Sequence, residues 1–336
     1  MNKRKQRNFK ITRNIMVFLL LSLISYSIYT AYHIKTIQNS SNVFSKPPVY
    51  HYNVITDDNT SYLNTKFLEG LQNKSSLLNI VYEIKFIENI SNIKSIKDAF
   101  DSSVFSDVDG VILKLSNNDI ARDYINNCVS NNIPVITIGN DSLSSLKTAY
   151  IGTNKYNLGR SIASLIMEDP KTSVDVLVLF DTNYTNVPNN NSTSNNNFLN
   201  GILSINSEEK EINLTSYSLK KDQRSEIYIK NYLNSKTPDY IITTEPINSL
   251  RATKTLIDLN EIGKINLIAS SSHPSILDYI KKGTILASTT EDYSLMGEMA
   301  IETLYEFNSG NSPSSYISVP FEITTKETVG EKINDK

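Results

Sequence analysis

The chain has a single cysteine, Cys128, in 336 residues, and no tryptophan. One thiol excludes an intramolecular disulfide and any cysteine-based metal site. Cys128 lies in IARDYINNCVSNNIPV, a helix between two strands, where a small buried hydrophobe is the expected role. The three histidines, His33, His51 and His273, have no ligand spacing. An excess of one charge is also missing. Lys and Arg number 33 against 35 acids, and a net charge of −2 gives no long-range attraction to nucleic acid. No G-x-G-x-x-G follows the first strand, and P-loop, G-x-S-x-G and H-E-x-x-H patterns are absent. Serines flank His273 in ASSSHPS (Ala269–Ser275), but closeness in sequence is not triad geometry, and a turn histidine is expected. Neither catalysis nor a cofactor or metal is expected.

What is present begins with one long apolar run, RNIMVFLLLSLISYSIYTAYHI, at Arg13–Ile34. Its apolar part, Ile15 to Tyr32, would span about 27 Å as a helix, close to a bilayer's hydrocarbon thickness. A secretory apolar region is shorter, about 7–15 residues, and ends at small residues. Ser25 and Ser27 form a poor cleavage site, and Ala31 has Tyr29 two positions before it. The lone cysteine lies too far along for a lipid anchor. The run therefore reads as an uncleaved transmembrane anchor at 15–34, ahead of a cleaved signal and of a buried core helix. Lys3, Arg4, Lys5, Arg7, Lys10 and Arg13 make 1–14 a basic cytoplasmic terminus, and Tyr26, Tyr29 and Tyr32 fit the far interface. Everything after His33 is then extracytoplasmic, on a single-pass protein of the cell membrane. Lys35–Pro48 is a polar tether whose closing prolines stop the helix.

From Tyr50 strands and helices alternate. YHYNVIT (Tyr50–Thr56) reads as a strand, then an amphipathic helix carries Leu63, Phe67 and Leu71 on one face. Further strands fall at NIVYEIKFI, DGVILKL and IPVITIG, with a capped helix between the last two. The rhythm restarts after TAYIGTN with strands at VDVLVLF, EINLTSYSL, PDYIITT, INLIASSS and TILASTT. The pattern predicts two Rossmann-like lobes, each a parallel sheet with helices on both faces. Ligands of such sheets sit beyond the strand carboxyl ends. NVPNNNSTSNNN (Asn186–Asn197) is low-complexity and polar, and reads as a mobile loop.

Three stretches carry a family resemblance. They are DGVILKLSNNDIARDYINNCVSNNIPVITIGND (Asp109–Asp141), AYIGTNKYNLGRSIASLIM (Ala149–Met167) and LIASSSHPSILDYIKKGTILASTTEDYSLMGEMAIETLYEFNSG (Leu267–Gly310). In this order and spacing the chain resembles the periplasmic-binding-protein-like type I family, which includes bacterial sugar-binding proteins and the ligand cores of lactose-repressor-type regulators. The resemblance implies one such domain at 49–330, its lobes joined by crossing hinge strands. Lobe 1 would take 49–152 and 293–318, and lobe 2 would take 153–290 and 319–330. It further implies hinge closure on a small polar ligand.

Carried over by the resemblance, the ligand-contacting positions are Asp57, Asp58, Asn59 and Tyr62 after the first strand. Asn140 and Asp141 follow VITI, and Asn154 follows the first crossing. Lobe 2 adds Glu245, Asn248, Ser271, His273 and Glu291. Tyr62 would stack on a flat ligand face. Arginine and aspartate pairs usual in sugar binders are replaced, which points to a cationic or polyhydroxylated ligand. Three functions compete. A membrane-anchored ligand sensor would present its closed form to a membrane partner such as a sensor histidine kinase. The solute-binding subunit of an ABC importer is second, with a permease as partner. A transcriptional regulator is third, because the space for its helix-turn-helix is taken by the apolar run and the tether.

Overall fold

The computed structural model describes residues 49–58, 61–181, 193–207, 209–219 and 223–330, with 22, 24–27, 29 and 30 of the N-terminal stretch. The chain divides into two units, Met1–Val49 and Tyr50–Lys336. In the first, the described residues 22, 24–27, 29 and 30 are helical. Among the described residues no helix is long and apolar enough to cross a membrane, and the span expected at 15–34 lies largely outside them.

The second unit holds two six-stranded sheets. The first contains β1 (His51–Thr56), β2 (Val81–Phe86), β3 (Gly110–Lys114), β4 (Val135–Ile138), β5 (Ala149–Thr153) and β11 (Tyr316–Val319), in the order β11-β5-β4-β3-β1-β2. All its pairs are parallel. The second contains β6 (Ser173–Asp181), β7 (Glu211–Leu219), β8 (Tyr240–Thr243), β9 (Asn266–Ser270), β10 (Ala287–Glu291) and β12 (Phe321–Thr325), in the order β12-β10-β9-β8-β6-β7. Here only β12 runs antiparallel, against β10. The reason is connectivity. The chain leaves the first sheet at the carboxyl end of β11 and, after Pro320 alone, enters the second from that same end, so β12 must run against its neighbours.

Helices cover both faces of each sheet. They are α1 (Tyr62–Leu78), α2 (Ile93–Phe105), α3 (Arg122–Ser130), α4 (Lys155–Met167), α5 (Thr193–Leu203), α6 (Ser225–Leu233), α7 (Pro246–Asp258), α8 (Pro274–Lys281) and α9 (Tyr293–Asn308). The two-residue period of a strand sorts the cores. Tyr52 and Val54 of β1 pack with Phe67, Leu71, Met296 and Leu304 of α1 and α9. Ile55 points the other way, to Ile96, Phe100, Ile125 and Cys128. In the second sheet Leu177 and Leu179 join Ala252, Leu256 and Ile276, while Val176 and Val178 join Ile162, Phe198 and Ile202. Cys128 is fully buried, and burial pushes its thiol up to about 12, so it is packing material.

Two helix pairs approach to backbone contact. A Cβ on Gly297 would stand 2.3 Å from the Phe67 carbonyl oxygen, and one on Gly70 1.9 Å from that of Ser294. In the other lobe a Cβ on Gly159 would stand 2.1 Å from the Phe198 carbonyl oxygen, and one on Gly201 2.1 Å from that of Tyr156. Each pair locks the helix that follows a crossing, α9 in the first lobe and α4 in the second. The loop expected at Asn186–Asn197 is corrected in part. Its last residues open α5, because Phe198 and Ile202 are buried on the sheet and draw the polar residues before them into the same helix. The rest lies outside the described residues.

Candidate functional site

The chain passes between the sheets three times, after β5, after β10 and at Pro320, and the carboxyl ends of the strands meet around these crossings. On the first sheet the polar residues brace their own loops. Asp57 accepts from the Ser116 N–H at 3.1 and 3.2 Å and from the Ser116 hydroxyl. Asp58 accepts from the Ser61 N–H at 3.0 Å and from the Ser61 hydroxyl, and pairs with Lys114 at 3.5 Å. Ser61 Oγ in turn caps α1 by accepting from the Asn64 N–H at 3.0 Å. The Asn140 amide donates to the carbonyls of Leu115 and Ser116 at 3.3 and 3.1 Å. Asp141 pairs with Lys147 at 2.9 Å, and Asn154 caps α4 through the Asn157 N–H at 3.0 Å. Asn59 lies outside the described residues.

The second sheet holds its site residues differently. Glu245 stands at the N-cap position of α7 without capping it, and Asn248 is buried in that helix's first turn. Ser249 knits the region together. It accepts from the Ser270 N–H at 3.0 Å, donates to the Glu245 carbonyl at 2.9 Å and meets the Thr243 hydroxyl at 2.8 Å. Ser271 is buried and has φ of +129°, a region costly for a residue with a Cβ. Its hydroxyl accepts from the His273 N–H at 3.0 Å. His273 Nδ1 accepts from the Ser275 N–H at 3.3 Å, capping α8, so this nitrogen serves the helix and not a serine nucleophile.

Two features join the two sides, and an ion pair of the second lobe stands where the chain crosses. The Tyr62 and His273 rings meet edge to face across the lobes, 5.4 Å apart at 82°. Lys155, just after the first crossing, pairs at 2.5 Å with Glu291, just before the second. Tyr293, just after the second, has its hydroxyl held well above the usual phenol range by burial first, then by the charges of Glu291 and Glu245 and by Tyr150 and Asp58. Carboxylates from both sheets thus act on one phenol, while Lys114 lies 5.8 Å from its ring centre. The Tyr150 hydroxyl donates to the Gly139 carbonyl at 2.9 Å and is raised by burial, then by Glu291. Its ring lies along β5 because a Cβ on Gly152 would stand 2.2 Å from its oxygen.

Lys114, Tyr150, Lys155 and Tyr293 escaped the sequence reading. A signal existed for the lysines, since Lys114 ends an apolar strand and Lys155 opens the helix that follows another. Among the described residues no group of three or more His, Cys, Asp or Glu side chains is arranged to hold a metal.

Solved structures share this architecture. The glucose-galactose binding protein GanP from Geobacillus stearothermophilus is 19% identical, with a TM-score of 0.73 over 84% of this chain and 99% of that one. A sugar-binding protein of a sugar ABC transporter from Bacillus halodurans gives 18% and 0.72 with the same coverage. The XylFII–LytSN complex gives 19% and 0.70, also with the same coverage. No curated protein matches. The periplasmic binding protein domain matches residues 53–312, well over half of the sequence. The chain belongs to the periplasmic binding protein domain family.

Proposed function

We propose that the chain is a membrane-anchored, extracytoplasmic receptor that closes its lobes on a sugar-type small molecule and presents the closed form to a signalling partner in the same membrane. The observation that carries this reading is the interlobe site. Strand ends of both sheets converge around three crossings, and the Tyr62–His273 contact closes across them. A ligand touching both sides favours closure by its differential affinity for the closed form. A relative named for glucose-galactose binding and a solute-binding protein solved in complex with D-arabinose support a sugar-type ligand, and their being binding proteins favours binding over catalysis. The complex of XylFII with LytSN supports a protein partner. The apolar run at 15–34 supports a fixed anchor, which raises the effective concentration of a partner in the same membrane.

A second reading is the solute-binding subunit of an importer, favoured by the Bacillus halodurans relative. Calorimetry of the full chain in detergent with glucose, galactose, xylose and arabinose tests the ligand class. Saturable binding of one of them is expected, and no binding by any sugar overturns it. Copurification from crosslinked membranes tests the role. A sensor kinase is the expected partner, and recovery of a permease and ATPase instead establishes the importer. Recovery of a chain starting near Tyr29 would overturn the anchor.

A further inference from the structure

We propose that the ligand of this cleft carries a protonated amine, received at the hinge by the second carboxylate oxygen of Glu291; this rests on the sugar-receptor reading above. Buried polar atoms without partners lie on the strands where the chain crosses between lobes. Glu291 Oε1 holds the Lys155 ammonium at 2.5 Å, but Glu291 Oε2 is buried with no hydrogen-bond partner. The hydroxyls of Thr290 and Thr153 are likewise buried and unpartnered, and Thr153 is only 2% exposed. Strand pairing brings Thr153 and Glu291 to the same crossing, while Thr290, next to Glu291 on β10, lies on the other face of the sheet. Thr153 pairs with Val319 and Glu291 with Phe321, and Pro320 alone separates those two partners.

The charged part of the unmet capacity at this point is to accept, at the carboxylate oxygen, while the two threonine hydroxyls are each without a partner both as donor and as acceptor. Glu291 Oε2 accepts only, and either threonine oxygen can accept. The Tyr150 hydroxyl proton is committed to the Gly139 carbonyl at 2.9 Å, which leaves its oxygen as an acceptor too. An ammonium brings three donors and no acceptor, whereas a sugar hydroxyl brings one donor and asks for one in return. Lys155 already shows the fit, because it is an ammonium held by the other oxygen of the same carboxylate. Three carboxylates act here, with Lys155 on Glu291 and Lys114 on Asp58 offsetting part of their charge. The fields of Glu291, Glu245 and Asp58 all reach the Tyr293 hydroxyl. The ligand class is therefore an amino sugar or a comparable amino polyol.

The test compares each hexose with its 2-amino-2-deoxy and 6-amino-6-deoxy forms by calorimetry on the full chain in detergent at pH 7. A charge-assisted hydrogen bond to a buried carboxylate predicts at least about tenfold tighter binding of one amino form. Glu291→Gln should abolish that preference. Thr153→Val leaves the Lys155 pair in place and covers the case in which Glu291→Gln does not fold; it should lower amine affinity by about threefold. Parent sugars binding as tightly as their amines would overturn the amine and leave the receptor reading intact. A preference that survives in Glu291→Gln would overturn the assignment to Glu291. Failure of every sugar and every amine to bind would overturn the receptor reading itself.

Discussion

The two lobes are built to one plan and use it differently. Each has a parallel sheet, and each locks the helix after a crossing with facing glycines, Gly70 and Gly297 in one and Gly159 and Gly201 in the other. At the site the plans diverge. The first lobe commits Asp57, Asp58, Asn140 and Asp141 to its own loops. The second carries a strained Ser271 and a Glu291 whose outer oxygen has no partner. The first lobe thus ties its carboxylates into its own loops and leaves only hydroxyls such as Thr153 unmet, while the second keeps strain and an unmet carboxylate oxygen where a ligand would sit. Strain of this kind persists only when the surrounding structure holds it.

The largest effects should come from the shared plan. Gly297→Ala drives a methyl into the Phe67 carbonyl, and the helices must part, at a cost of about 3 kcal/mol. Gly159→Ala should cost nearly as much, since its clash is as short. Thermal melts of both variants check this, and a large loss from one alone would show that the lobes are not equally dependent on their glycines. At the site the lobes should part company. Asp57→Ala removes the acceptor of the Ser116 N–H and hydroxyl, so denaturant unfolding should show a loss of about 2 kcal/mol. Across the cleft, Ser271→Gly should be more stable than Ser271→Ala by about 1 kcal/mol, because only glycine adopts a φ of +129° without strain. Equal stability of those two variants would remove the strain from the comparison.

Much of this architecture is legible in the sequence, because strand burial follows a local period. YHYNVIT marks β1 to within a residue, and DGVILKL brackets β3. The inward face of α1 shows where that logic stops. Phe67 and Leu71 are buried as their spacing predicts, yet Asn64 and Gly70 share the face in place of Leu63. Gly70 is there because α9 passes at backbone distance, a fact about a helix more than 200 residues away. The site has the same limit. Strand order locates Asp58 and Glu291, but their lysines lie 56 and 136 positions away in sequence. No local pattern announces that Tyr293 stands between carboxylates of both sheets. The apolar run at 15–34, by contrast, is legible from length and composition alone.

The smallest expected effect separates the lobes at the end of each sheet away from the cleft. An aspartate precedes the third strand in both. Asp109 accepts from the His51 N–H at 2.7 Å, and Asp239 accepts from the Asp175 N–H at 2.8 Å. The backbone returns each bond, Asp109 N–H to the His51 carbonyl at 2.9 Å and Asp239 N–H to the Asp175 carbonyl at 2.8 Å. Among the described residues only the second lobe adds a cation at the carboxylate, the Lys171 ammonium. Partial burial works to raise the Asp239 carboxyl, but the hydrogen bonds from Lys171 and the Asp175 N–H, with the charge of Lys171, outweigh it and hold the group below its usual range. A carboxyl whose folded value is depressed contributes stability above its unfolded value, and that contribution is lost as pH falls through the folded one. Asp239→Asn should therefore cost about 1 kcal/mol at neutral pH, and the difference from the parent chain should vanish on acidification below the usual carboxylate range of about 4. Lys171→Met should shrink the pH-dependent part and leave the backbone bond in place, which makes the second lobe resemble the first. Chemical unfolding at a series of pH values reads both variants, and a loss at Asp239 that stays constant with pH would show that the lysine adds nothing to the motif the lobes share.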